Sequence, residues 1–398
     1  MRYDMIKLKE LCTVNQGLQI PISKRYKEPR KNRYFYITVQ FLKDSGENYY
    51  IENPPKNVIC TVDEILVVRT GNTGQVITGV AGCFHNNFFK VTPNEKVFPR
   101  YLYYALNNKK MHDAMLNAAS GTTIPDLKHS SFYNLVIPLP EISIQKKIAK
   151  ILDNICDKLK LNNEINNNLF ELLKQEFRKK FYTKEGEKSY LIDYISKTIG
   201  GDWGKESPEG NNNTRVYCVR GADIPSMEYG NKGNAPIRYI LEKNYKNKKL
   251  DPNDIIIEIS GGSPTQSTGR TAYITKSILD MYNSPLLCTN FCRAIESKSD
   301  ILAPFVYMNL KLMYEDDIFF NWENGTTGIK NLALNDMLSN LEVKSPNEID
   351  LEDFYLLFNN IMNKISNNSN ENIKLQKLMD TLLPKLMNGE IKLENIEI

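Results

Sequence analysis

Residues 151–163 read ILDNICDKLKLNN, and residues 357–368 read LFNNIMNKISNN. Both place apolar residues three and four apart, the spacing that gathers them on one face of a helix. The first stripe runs from Glu141 to about Tyr182 through Ile144, Ile148, Ile151, Leu152, Ile155, Leu159, Ile165, Leu169, Leu172, Leu173 and Phe177. The second runs through Phe354, Leu357, Phe358, Ile361, Ile365, Leu375, Leu378, Leu382, Leu383 and Leu386. A helix of about 40 residues reaches about 60 Å at 1.5 Å per residue, too long for one small body to bury its stripe. Two such stripes in one chain are expected to pack on each other as an antiparallel coiled coil. Their middles, LNNEINNNL and SNNSNEN, put Asn162 and Asn368 at matching seam positions. A polar seam residue costs stability but fixes register; in a chain this rich in asparagine, chance placement is the competing explanation.

The duplication extends outward from the helices. NLVIPLP (134–140) matches NLEVKSP (340–346), and SGTTIPDLK (120–128) matches NGTTGIKNL (324–332). NFFKVTPNEKVFPRYLYYAL (87–106) matches NFCRAIESKSDILAPFVYMNL (290–310). Further back, DEILVVRTGNTG (63–74) matches NDIIIEISGGSP (253–264), and LKELCTVNQG (8–17) matches LIDYISKTIGG (191–201). The offset widens along the chain, as insertions in the second copy would make it. β-Branched runs such as RYFYITVQF, EILVVR, RVYCVRG and NDIIIEIS are strand signals, and PRYLYYALNNKKMHDAML is a helical one. The expectation is an α+β fold: bodies at 1–140 and 190–346, long helices at 141–182 and 347–388, a linker at 183–189, a tail at 389–398, and a pseudo-twofold relation between the copies.

The chain has 398 residues, 41% of them hydrophobic and 25% charged, which fits a protein with buried cores and more than one domain. No apolar run is long enough to cross a bilayer and the first residues lack a signal-peptide core, so a cytoplasmic protein is expected. The seven cysteines are scattered and read as reduced thiols. Cys288 and Cys292 are close in sequence but have no second pair and no histidine to complete a zinc site, so no metal is expected.

Catalytic motifs are absent in usable form. NPPK at Asn53–Lys56 echoes an amino-methyltransferase motif, but Lys56 cannot stack on a flipped base. GGDWGK at Gly200 fails the phosphate-loop spacing, PDLK at Pro125 lacks the acidic partners of a nuclease, and the three histidines have no triad-like neighbours. What remains suits nucleic acid. Lys24, Arg25, Lys27, Arg30, Lys31 and Arg33 alternate with Tyr26 and Tyr34, a pattern fit for phosphate and equally the composition of a solvated loop. Two polar glycine-rich loops follow matched strands. One offers Arg69, Thr70, Asn72, Thr73 and Gln75; the other offers Ser260, Ser263, Thr265, Gln266, Thr268 and Arg270. Such side chains can reach base edges, although surface turns have similar compositions. Arg215, Arg220 and the hydroxyls of Thr122, Thr123, Thr326 and Thr327 complete the candidate DNA-binding set.

NLVIPLPEISIQKKIAKILDNI (134–155) and LMDTLLPKLMNGEIKL (378–393) resemble conserved regions of the specificity subunit of type I restriction-modification enzymes. The resemblance covers essentially the whole chain. It implies two tandem target recognition domains, each reading one half of a bipartite DNA site, with the coiled coil as a ruler for the spacer. It also implies that two methyltransferase subunits and restriction/translocase subunits carry the chemistry, so that this chain is no enzyme and holds no cofactor. The second copy departs from the pattern: NLEVKSPNEIDLEDFYLLFNNI (340–361) lacks the PLP and QxxIA spelling of the first. Two other readings are a targeting subunit of a methylation-only or other defence complex, and a stand-alone methyltransferase, which would bind S-adenosylmethionine by itself.

Overall fold

A computed structural model describes residues 3–43, 47–120, 125–182, 186–263, 265–325 and 329–393. The chain divides into two compact units, Met1–Asp157 with Leu375–Ile398, and Lys158–Lys374.

In the first unit Asp4–Lys7 pairs antiparallel with Val136–Leu139, which brings the two ends of the body together. One sheet has the order Cys12–Gln16, Phe88–Pro93, Ile65–Val68, Val76–Ile77; another has the order Tyr50–Glu52, Arg33–Ile37, Gly82–Phe84, Ile59–Cys60. The EILVVR run explains why the layers stack as they do. Successive side chains of a strand point to opposite faces. Ile65 and Val67 enter the core shared with helix Pro99–Leu106 and the long helix, while Leu66 and Val68 enter the core beneath the other sheet.

The second unit repeats the plan. Lys188–Tyr190 pairs with Glu342–Lys344, one sheet runs Ile195–Gly200, Cys292–Ser297, Ile255–Glu258, Thr271–Tyr273, and another runs Ile237–Leu241, Asn212–Val219, Leu286–Cys288. Ile255 and Ile257 face one core and Ile256 the other. The fold is thus α+β, written twice. A small detail marks the duplication: Leu18 N–H donates to Phe84 O at 3.1 Å, and Asp202 N–H donates to Cys288 O at 2.9 Å. The residue before each is glycine, Gly17 and Gly201, because a Cβ there would collide with backbone carbonyls of Phe84 and His85 or of Cys288 and Thr289.

The long helices are Ile142–Phe177, prolonged by a π-helical turn Arg178–Tyr182, and Glu348–Met387. Each unit holds a part of both, packed antiparallel. In the first unit Cys156 meets Met379 (3.9 Å between sulfurs), and Lys147 Nζ donates to Leu393 O at 2.9 Å. In the second, the Phe177 ring packs 5.2 Å from Phe354, and the same unit holds the polar seam. There Asn162 Nδ2 donates to Glu371 Oε2 (2.8 Å) and Asn372 Oδ1 (2.9 Å), and Asn368 Nδ2 donates to Asn166 Oδ1 (2.8 Å). Asn162 and Asn368 are both buried in the seam, but each bonds a different partner rather than the other.

Several expectations change. Leu172 and Leu378 are exposed, because Phe170 with Leu173 and Leu382 with Leu383 fill the packed side at those turns. The helical stretch at 99–116 is two helices, broken at Asn107–Asn108, where Asn108 Oδ1 accepts the Met111 N–H at 3.0 Å as the cap of Lys109–Ala118. Of the expected linker, 183–185 lie outside the described residues and Lys188–Tyr190 is strand. Of the tail, Leu393 is buried in the first unit's core and 394–398 lie outside the described residues.

Candidate nucleic-acid interface

Each glycine-rich loop leaves the central strand of its body, and in each unit it is caught by the segment that follows Gly-Thr-Thr. In the first unit Ser120 and Asp126 exchange backbone hydrogen bonds of 2.8 and 3.0 Å, and Leu127 N–H donates to Arg69 O at 3.0 Å. In the second, Asn324 pairs with Asn331, and Leu332 N–H donates to Ile259 O at 2.9 Å. Side chains repeat the match. Thr70 Oγ1 donates to Asp126 Oδ1 at 2.6 Å, and Ser260 Oγ donates to Asn331 Oδ1 at 2.5 Å.

The copies differ in charge. Arg69 grips both oxygens of Asp126 at 2.8 Å and adds a third bond at 3.1 Å. Burial works against the Asp126 carboxylate, but the Thr70 hydroxyl and Arg69 outweigh it and hold Asp126 below the usual carboxylate range. In the second copy Ile259 stands for Arg69 and Asn331 for Asp126, so cation and anion are replaced together. That unit carries its ion pairs elsewhere: Lys330 with Glu323 at 2.7 Å, and Arg270 with the buried Glu258 at 2.6 Å.

Of the loop residues named from sequence, Asn72, Thr265 and Gln266 are exposed, with Asn72 Nδ2 donating to the half-buried Gln75 Oε1 at 2.5 Å. Gln266 Nε2 donates to Tyr314 OH at 3.1 Å, and the half-buried Ser263 lies 3.4 Å from Thr265 between hydroxyls. Thr73 and Thr268 are buried; Thr73 Oγ1 donates to Pro125 O at 2.7 Å. Arg69, Arg270 and Arg220 are committed to Asp126, Glu258 and Asp223, and Arg215 to Ser284, Asn283 and the face of Tyr217. Each of these cations has a partner within its own body. Thr122, Thr123, Thr326 and Thr327 lie outside the described residues.

The basic stretch divides the same way. Arg25 donates to Ile20 O at 2.7 Å, and Arg33 pairs with Glu52 at 3.3 Å while lying 3.6 Å from the Tyr26 ring centre. Lys24, Lys27, Arg30 and Lys31 are exposed. Lys27 pairs with Glu47 and Arg30 stands 3.8 Å from Glu28, whereas Lys24 and Lys31 have no ion pair among the described residues. The corresponding turn of the second copy holds Lys205 with Glu209, and Arg238 there stacks 4.0 Å from Trp203 and pairs with Glu206. Within these two stretches, the exposed lysines without an ion pair among the described residues are in the first copy.

Residues 2–171 match the family model described as the type I restriction modification DNA specificity domain. The type I restriction enzyme MjaIX specificity subunit of Methanocaldococcus jannaschii is 25% identical over 339 residues, covering 78% of this chain and 73% of that one. The HindI specificity subunit of Haemophilus influenzae is 20% identical over 380 residues, with 76% and 80% covered. The crystal structure of a type I restriction-modification S subunit from M. genitalium superposes with a TM-score of 0.58 at 17% identity, covering 97% of this chain and 96% of that one. By these comparisons the chain is similar to type I restriction-modification specificity subunits, and its residues 2–171 match their DNA specificity domain.

In this chain, no group of His, Cys, Asp and Glu among the described residues could hold a metal. Cys288 and Cys292 are buried on adjoining strands, and burial pushes the Cys288 thiol up to about 12. No helix among the described residues is long and apolar enough to cross a membrane. Sequence reasoning missed Asp126 and Asn331. The signal was PDL (125–127) against KNL (330–332) after the repeated Gly-Thr-Thr, which align only when one residue is inserted in the second copy.

Proposed function

We propose that this chain is a type I restriction-modification specificity subunit, in which residues 1–140 and 190–346 each read one half of a split double-stranded DNA site, while the helices 141–182 and 347–388 set the spacer. Methylation and cleavage then fall to two methyltransferase subunits and to restriction/translocase subunits docked on this chain. One observation carries the reading: the same loop-and-stem arrangement, Thr70 on Asp126 and Ser260 on Asn331, is built once in each body from different neighbouring residues. Equal scaffolds with unequal surfaces are what two readers of unequal half-sites need. Phosphate contacts supply affinity without sequence information, so the exposed Lys24, Arg30 and Lys31 fit that task. Changing all three to glutamine is expected to weaken DNA binding and to flatten the dependence of log affinity on log salt by up to about three, at about 0.9 per phosphate contact. Titration at several salt concentrations reads this directly, and an unchanged slope removes the stretch from the interface.

The spacer role is tested by lengthening both helices by seven residues at the level of Asn162 and Asn372. Seven residues add about 10 Å at 1.5 Å per residue, equivalent to about three base pairs at 3.4 Å each. The methylated site should keep both halves with a longer gap. An unchanged gap refutes the ruler.

A further inference from the structure

We propose that Asp126 and Asn331 are positioning residues for half-site reading, each latching a glycine-rich loop onto its hairpin stem, and that Arg69–Asp126 and Ile259–Asn331 are interchangeable versions of one device. The proposal rests on the reading that each body recognises one half-site. Three observations carry it. First, the latch recurs in both bodies. A hydroxyl at the start of the loop, on Thr70 or Ser260, donates to the side-chain oxygen of Asp126 or Asn331, while the next residue, Leu127 or Leu332, closes its N–H onto the carbonyl of Arg69 or Ile259. Secondly, both members of the neighbouring pair change between the copies. A half-buried Asp126 needs Arg69 beside it, whereas a neutral Asn331 makes the same bond with Ile259 in that place. Thirdly, the latch lies beside the loop and outside the apolar cores: the Arg69 and Asp126 side chains are 19% and 33% exposed, and neither belongs to either core of the first unit.

What the latch fixes is the loop. Gly71 and Gly74 adopt φ of +99° and +87°, which lets the chain turn tightly and also leaves it free to adopt other shapes. Thr70, held by Asp126, anchors the start of that turn, and the exposed Asn72 two residues on projects from it with its amide bonded to Gln75. In the second copy Ser260 precedes Gly262, at φ +73°, and the exposed Thr265 and Gln266. A polar side chain reads a base edge only when its carrier is held in place, so the latch controls discrimination more than folding.

The test uses the full complex with its methyltransferase subunits and DNA duplexes in which each half-site is altered separately. The ratio of methylation rates on intact and altered DNA gives discrimination for each half. Asp126→Ala is expected to lower discrimination at one half by about tenfold and leave the other within about twofold, the size of one misplaced base contact. Asn331→Ala should do the reverse. The double variant R69I/D126N, which installs the second body's pair in the first, should restore discrimination, and I259R/N331D should be tolerated likewise. Thermal unfolding of the same samples separates lost discrimination from lost fold. Discrimination untouched by Asp126→Ala, loss at both halves alike, or R69I/D126N as impaired as Asp126→Ala would overturn the latch. A wild-type complex that tolerates alteration of either half would instead overturn the half-site reading on which it rests.

Discussion

Replacing residues 1–140 with the corresponding body of a type I specificity subunit is expected to change the bases required in one half of the DNA site and to leave the other half and the gap as they were. The cut is physically favourable because Asp4 lies opposite Leu139 in a two-stranded ladder, so the body begins and ends at one place. Its cores are its own apart from the helices it rests on. The polar groups at that contact are few. Gln145, buried, accepts the Phe98 N–H at 2.7 Å and donates to Lys96 O and Pro140 O, and Asp153 accepts from Tyr104 OH at 2.7 Å and pairs with Arg100. A donor body that keeps Phe, Arg and Tyr at the positions of Phe98, Arg100 and Tyr104 should dock without repair. Determination of the methylated sequence before and after the exchange reads the result, and altered requirements in both halves would end the division of labour.

Lys311→Met is expected to destabilise the second unit by about 3–5 kcal/mol, the usual cost of stranding a buried charge. Lys311 and Glu228 form an ion pair with both side chains 10% exposed, and Glu315 adds a second carboxylate 3.2 Å from the ammonium. Burial opposes the charge on Lys311, but Glu228 and Glu315 outweigh it and keep the ammonium protonated. The chain of charges continues through Lys174, 3.0 Å from Glu315 and 2.6 Å from Glu171, onto the first long helix. Removing Lys311 alone leaves Glu228 without its counter-ion. Removing both charges, as E228Q/K311M, should recover most of the loss, because a neutral amide beside an apolar side chain carries no such penalty. Chemical denaturation of the three proteins, the parent and the two variants, measures this; a loss below about 1 kcal/mol for Lys311→Met would show that solvent reaches the pair.

The duplication was legible because its signals are local and periodic. Strand runs such as EILVVR and NDIIIEIS, and the three-four spacing of the helices, survive divergence since each reflects which side faces a core. The seam asparagines were legible as positions, yet their partners were not: Asn162 reaching Glu371 and Asn372 depends on the antiparallel offset, which no single stripe contains. The same limit explains the arginines. Arg69, Arg220 and Arg270 have the composition of base-reading residues, but their carboxylate partners are set by the fold. Only Arg220 has its partner, Asp223, within one turn of chain; Asp126 is far from Arg69 in sequence, and Lys311 is farther still from Glu228. Gly17 and Gly201 showed the repeat without showing that a carbonyl crosses each of them.

Mapping the methylated bases of the host genome with and without this chain tests whether one chain carries two independent readers held at a fixed separation. The expected methylated site has two short specified blocks, different from each other, separated by an unspecified gap of constant length, and is lost when the chain is deleted. A single uninterrupted site, a gap of variable length, or methylation that persists without the chain would contradict it.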